Sequence, residues 1–177
     1  MRTAGLVRRA LTESGLDGAV KTSGAKGLHV VVPIRGASVE DTAAATRALA
    51  ARTERLDPEL ATTAYIREDR GGRVFVDSTR SGAGTIVAAY SPRVRPGLPV
   101  SVPVAWEDLD GVRPGDVTVS NAAERLGDGD PWAALLPQPQ ELPAELVTEG
   151  HTIPVARVQA MHEGKRRARA KRDEAEG

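Results

Sequence analysis

Proline decides what the second half of this chain can become. It recurs at positions 92, 96, 99, 103 and 114. Each ring locks φ and removes a backbone donor, so from Ser91 onward the chain is extended and largely non-helical, with Val100–Val104 as an edge-type strand. The first half is punctuated differently. Thr3 to Ser14 sets Leu6, Val7, Ala10 and Leu11 on one helical stripe, and Gly15 stands where a left-handed glycine closes a helix. Gly18 to Thr22 and Leu28 to Val32 are short β-type runs around the turn SGAKG, which predicts a hairpin. Ser38 with Asp41 three residues on is an N-cap signature, opening an Ala-rich helix that runs to Arg55. Gly72–Asp77 and Thr85–Tyr90 predict a second hairpin, joined through Ser78–Gly84, and Asn121–Leu126 a short helix. This order argues an α+β fold with an antiparallel sheet.

Composition narrows the function classes. At 177 residues the chain holds one domain, or one and part of another. Its 24 basic residues balance 24 acidic ones, which excludes a whole-chain basic field but not a local basic face. The absence of cysteine excludes a disulfide framework, a thiolate zinc site and a cysteine nucleophile, and fits a reducing compartment. No apolar run reaches the ~18 residues of a membrane span, and the N-terminus lacks the apolar stretch of a secretory signal. The expected setting is cytoplasmic, away from any membrane. Aromatic residues make up only 3%, too few for clustered base-stacking platforms.

Three constellations carry chemistry. In Lys21-Thr22-Ser23-Gly24-Ala25-Lys26-Gly27-Leu28-His29, two turn glycines let backbone N–H groups face an anion. Lys26 adds a point charge, Ser23 a hydroxyl, and His29 begins the return strand beside the same mouth. The spacing is not that of a phosphate loop running into a helix, because a strand follows. The same residues also read as a Gly-rich hairpin whose lysines merely solvate it. Asp77 ends the run Arg73-Val74-Phe75-Val76-Asp77, where a carboxylate can ligate a divalent cation. Taken alone, it reads first as the cap of the turn that begins at Ser78. Arg93 and Arg95 flank Val94 and in an extended segment share a side, which suits a triphosphate or a nucleic-acid backbone. The plainer alternative is two exposed arginines before a Pro-Gly turn. Asp108 with Asp110 and Asp128 with Asp130 lie in Gly/Pro-rich loops and read as turn formers. His151 and His162 have no ligand-spaced partner, and the basic run in 165–172 reads as a solvated or disordered terminus.

KTSGAKGLHVVVPI (21–34), GGRVFVD (71–77), AAYSPRVRPGLPVSVPVAWEDL (88–109) and GDGDPWAAL (127–135) stand in an order and spacing that resemble the polymerase domain of bacterial DNA ligase D. That domain belongs to the archaeo-eukaryotic primase superfamily and serves non-homologous end joining. The resemblance covers roughly residues 5 to 136. It implies the C-terminal portion of a primase-polymerase-like fold, mostly antiparallel sheet with flanking helices. The partial polymerase domain would span 1–136, followed by a Pro-rich and then charged tail at 137–177. By this resemblance Ser23 and His29 contact the incoming nucleotide's phosphates beside Lys26, Arg93 and Arg95 help to hold the triphosphate, and Asp77 is a catalytic ligand of Mn2+ or Mg2+.

The departures set the remaining expectations. In the family a D-x-D pair precedes the S-G-x-K-G element by one helix and supplies two further metal-binding carboxylates. This sequence opens inside that helix, and before Ser23 only Asp17 stands alone in a turn. The family's 5′-phosphate-gripping and template-stacking residues also lie further upstream. Where the family follows its aspartate with an aromatic and a Gln-Asn pair, this chain reads Ser78-Thr79-Arg80-Ser81. The expectation is a truncated ligase-D-type repair polymerase, lacking part of its metal site, that acts on nucleoside triphosphates and DNA ends beside a ligase or end-binding protein. The alternative is a non-catalytic nucleotide-, DNA- or partner-binding remnant.

Overall fold

The computed structural model describes residues 1–81, 86–156 and 161. In chain order its elements are helix α1 (Arg2–Glu13), strands β1 (Ala19–Thr22) and β2 (Leu28–Val31), helix α2 (Val39–Leu56), and strands β3 (Ala61–Thr62) and β4 (Val74–Phe75). Strand β5 (Pro103–Val104) and helices α3 (Ala122–Leu126), α4 (Pro131–Leu135) and α5 (Ala144–Thr152) follow. Two compact units result, residues 1–37 with 85–142 and residues 38–84 with 143–177. Among the described residues no helix is long and apolar enough to cross a membrane.

The first unit is built on an antiparallel sheet in the order β2-β1-β5. Helix α1 buries Ala10 and Leu11 of the expected stripe together with Ala4, while Leu6 and Val7 are half-buried. Gly15, at φ 72°, turns the chain off the helix while its N–H and that of Leu16 satisfy the Thr12 and Leu11 carbonyls at 3.0 Å each. The five-residue turn then sets the hairpin register, with Lys21 opposite His29 and Thr22 opposite Leu28. On its other side β1 pairs with β5, which lies at the sheet edge, with Lys21 opposite Pro103. Ala4, Val20, Val104 and Leu109 form one core cluster, with Leu28, Val30, Trp106 and Val112 packed against it. The indole N–H of Trp106 satisfies the Gly18 carbonyl at 2.7 Å. The proline-rich segment folds back on itself through bridges between Pro92 and Val100 and between Pro99 and Thr118. This positions Val100, Val102 and Val117 as a second cluster.

In the second unit Ser38 caps α2, its hydroxyl accepting from the Asp41 N–H at 3.0 Å. Helix α5 packs on α2 with Leu146, Ala44 and Ala48 fully buried. Arg47 reaches from α2 to the Gly150 and Ile153 carbonyls, and Glu149 takes Arg52 and Arg55. Helix α5 lies within the stretch read from its prolines as a tail; the basic run in 165–172 and His162 lie outside the described residues.

The expected second hairpin is not what the structure contains. Strand β4 pairs instead with β3, in parallel, matching Ala61 with Val74 and Thr62 with Phe75. The Val74 and Val76 N–H groups donate to the Leu60 and Thr62 carbonyls at 2.8 and 2.9 Å, so β3 takes one edge of β4. Residues 86–90 carry no strand, and the Tyr90 N–H donates to the Ser101 carbonyl. Thr85 lies outside the described residues.

Candidate triphosphate site

The mouth of the β1–β2 hairpin lies in the first unit. The Ser23 N–H donates to the Gly27 carbonyl at 2.9 Å and closes the turn. The Ser23 hydroxyl then accepts from the Ala25 and Gly27 N–H groups at 3.2 and 3.1 Å. The expected cradle is therefore modified: two of the loop's N–H groups point at the serine oxygen and not outward. Their effect is to fill both lone pairs of Ser23, so what this side chain offers an anion is its hydrogen. Lys26 is exposed at the loop tip and His29 is half-buried.

Gly24 ties this mouth to the arginine loop. Its φ is 61°, and a Cβ built there lies 2.7 Å from Arg93 Cγ, 3.1 Å from the Ser101 nitrogen and 3.2 Å from the Pro99 oxygen. Only a residue without a side chain lets the two loops approach so closely. Arg93 is half-buried over the mouth, held by its N–H to the Pro99 carbonyl at 2.8 Å. Arg95 is exposed, and its N–H turns back onto the Arg93 carbonyl at 2.8 Å. That tight turn replaces the extended geometry expected here, so the two arginines are not placed alike.

Behind the mouth lies a side chain whose role the sequence reading missed. Lys21 is 2% exposed. Its ammonium donates to the Val87 carbonyl at 2.7 Å and to Ser101 Oγ at 2.9 Å, and faces His29 Nδ1 at 3.1 Å. Burial first, and the charge of Arg93 second, lower its pKa to about 8. The available signal was a lysine in the otherwise apolar run Gly18–Thr22.

Asp77 stands in the second unit and is exposed. One oxygen accepts from the Thr79 N–H at 2.9 Å and the Thr79 hydroxyl at 2.6 Å, and the other lies 3.7 Å from Arg80. The turn-capping geometry is thus realised. Among the described residues no three His, Cys, Asp or Glu side chains converge as a metal site. One carboxylate does not fit the donor set that two cations about 4 Å apart require. The other acidic pairs serve local structure. Asp130 caps α4, accepting from the Trp132 and Ala133 N–H groups and from the Tyr90 hydroxyl, which first among these holds its carboxyl below the usual range. Asp108 lies in a 3-10 turn, and His151 pairs with Asp41 at 2.8 Å at the surface.

Comparison with known proteins agrees with these blocks. The model of the LigD primase-polymerase domain matches residues 1–132. The multifunctional non-homologous end joining protein LigD of Pseudomonas aeruginosa is 38% identical over 129 residues, covering 70% of this chain and 15% of that protein. The multifunctional non-homologous end joining DNA repair protein LigD of Mycobacterium tuberculosis is 36% identical over 132 residues, covering 70% and 17%. The chain therefore spans only about a sixth of the length of these curated relatives. Among solved structures, the polymerase domain from Mycobacterium tuberculosis ligase D in complex with DNA superposes with a TM-score of 0.68 at 33% identity, over 76% of this chain and 48% of that one. Hairpin mouth, arginine loop and α+β frame thus have one explanation, and the chain belongs to the LigD primase-polymerase domain family.

Proposed function

We propose that this chain is the triphosphate-holding part of a DNA-repair polymerase that adds nucleotides to DNA ends in non-homologous end joining. The observation that carries the reading is the close approach of Gly24 to Arg93 Cγ, which brings the Arg93 side chain to the hairpin mouth that holds the Ser23 hydroxyl. Around it Lys26 and Arg95 add exposed cations and His29 a ring donor. Five such groups suit the charge of a nucleoside triphosphate. In the reaction a DNA 3′-hydroxyl gives up its proton to water as its oxygen bonds to the α-phosphorus, the bond from that phosphorus to its bridging oxygen breaks, and pyrophosphate leaves. Donors at the mouth stabilise the charge that grows on the leaving group.

Mn2+ or Mg2+ would supply electrophilic activation in such chemistry, with Asp77 as one ligand. The described residues do not complete that donor set, so triphosphate binding is the step that this chain's own side chains account for. DNA ends, together with a ligase or end-binding protein, are the proposed partners, in a cytoplasmic setting. The doubly engaged Asp77 carboxylate favours a second reading, in which the chain binds nucleotide or DNA without turning it over.

Primer extension on a gapped duplex in Mn2+, with Asp77→Ala alongside, separates the two. Incorporation that vanishes in Asp77→Ala supports the polymerase. Saturable triphosphate binding without incorporation supports the second reading, and absence of both refutes each.

A further inference from the structure

We propose that Lys21 is a positioning residue, whose ammonium donates to Nδ1 of His29 and holds that ring in its Nε2–H form as a directional proton donor. The inference rests on the triphosphate reading of the hairpin mouth. It follows from counting hydrogens around one buried nitrogen. An ammonium has three hydrogens and no lone pair. The Val87 carbonyl, 2.7 Å away, can only accept. Ser101 Oγ, at 2.9 Å, gives its own hydrogen to the Thr22 carbonyl at 2.6 Å, so toward Lys21 it too accepts. The third neighbour is His29 Nδ1 at 3.1 Å. Were Nδ1 to carry a hydrogen, two donors would face one another beside a side chain only 2% exposed. The remaining arrangement puts the lone pair on Nδ1 and the hydrogen on Nε2.

The fold enforces this pairing. Lys21 and His29 are directly opposite across β1 and β2, a register set by the five-residue glycine turn. Phosphate oxygens accept and do not donate, so a ring in the other tautomer would present a lone pair to the ligand where an N–H is needed. A lysine that never touches the nucleotide thereby decides whether His29 attracts it.

The test is histidine 15N NMR on the full chain at pH 7 without nucleotide, His29 being assigned by the signal lost in His29→Gln. The expected result is the Nε2–H tautomer in the parent chain, and a mixture, or the Nδ1–H form, in Lys21→Met. Titration with a nucleoside triphosphate is then expected to show about tenfold weaker binding by Lys21→Met, with unchanged far-ultraviolet circular dichroism. An Nδ1–H or doubly protonated ring in the parent chain overturns the proposal, as does a tautomer unaltered in Lys21→Met. If Lys21→Met does not fold, the parent spectrum decides by itself. Should the parent chain bind no triphosphate, the functional reading fails, while the spectrum still judges the Lys21–His29 pairing.

Discussion

Gly24→Ala probes both the fold and the site, and its cost can be worked from the geometry. A φ of 61° is left-handed, which costs a residue with a Cβ about 1–2 kcal/mol. The new methyl would also stand 3.1 and 3.2 Å from two backbone atoms, Ser101 N and Pro99 O, which can give only by moving the loop. Overpacking of this kind adds about 1–3 kcal/mol, while a stiffer unfolded chain returns about 0.4–1 kcal/mol. The expected net loss is about 2–3 kcal/mol, read as a melting midpoint about 5–10 °C lower. Arg93 Cγ, 2.7 Å from the methyl, must swing away, so triphosphate affinity should fall as well. Gly5→Ala is the control. Gly5 lies inside α1 with nothing within 4 Å of its Cβ position, so alanine there should stabilise by about 0.5–1 kcal/mol. A double-mutant cycle with Arg93→Ala isolates the side-chain clash, and removing Arg93 should cost less in the Gly24→Ala background. A Gly24→Ala chain that melts with the parent and binds triphosphate equally would refute the claim that the two loops meet at this glycine.

Other outcomes follow from different parts of the chain. A Cβ at Gly150 would overlap the Ala44 carbonyl of α2, so Gly150→Ala should force α5 off α2 at a cost of about 3 kcal/mol, measured as faster amide exchange at Ala44–Ala48. Because Lys21 titrates near 8 when folded and at 10.5 when unfolded, the unfolded chain holds more protons between those pH values, and stability should rise with pH across that window. The Lys21 contribution, on the order of 3 kcal/mol, is the part of the rise in urea midpoint that disappears in Lys21→Met; Arg93 and His29 are the charged or titratable groups beside it. Asp130→Ala should unwind α4 and release Tyr90, lowering the midpoint of denaturant unfolding.

Local signals explain what could be read in advance. The α1 stripe with Gly15, the Ser38 cap and the SGAKG hairpin are each written within a few neighbouring residues, and all three formed. What escaped depends on distant partners. Strands β3 and β4 are two residues each, too short to show an alternation, and their parallel pairing joins segments on either side of a turn-rich stretch. Helix α5 was masked by flanking prolines and by Gly150, a poor helix former that is tolerated because α2 lies against it. Lys21 looked like an ordinary turn-flanking lysine because its acceptors, Val87 and Ser101, lie 66 and 80 positions away. Arg93 and Arg95 were read from an extended spacing that the tight turn between them cancels. The family resemblance reached further than these local patterns, since it uses several blocks in register.

Calorimetric titration of a nucleoside triphosphate into the full chain asks whether the hairpin mouth and the Arg93 loop bind a triphosphate. The expected result is saturable binding that weakens as salt is raised and falls at least about tenfold in both Ser23→Ala and Arg93→Ala, one charge-assisted hydrogen bond apiece. Binding of equal strength in both variants, or no saturable binding by the parent chain, would contradict it.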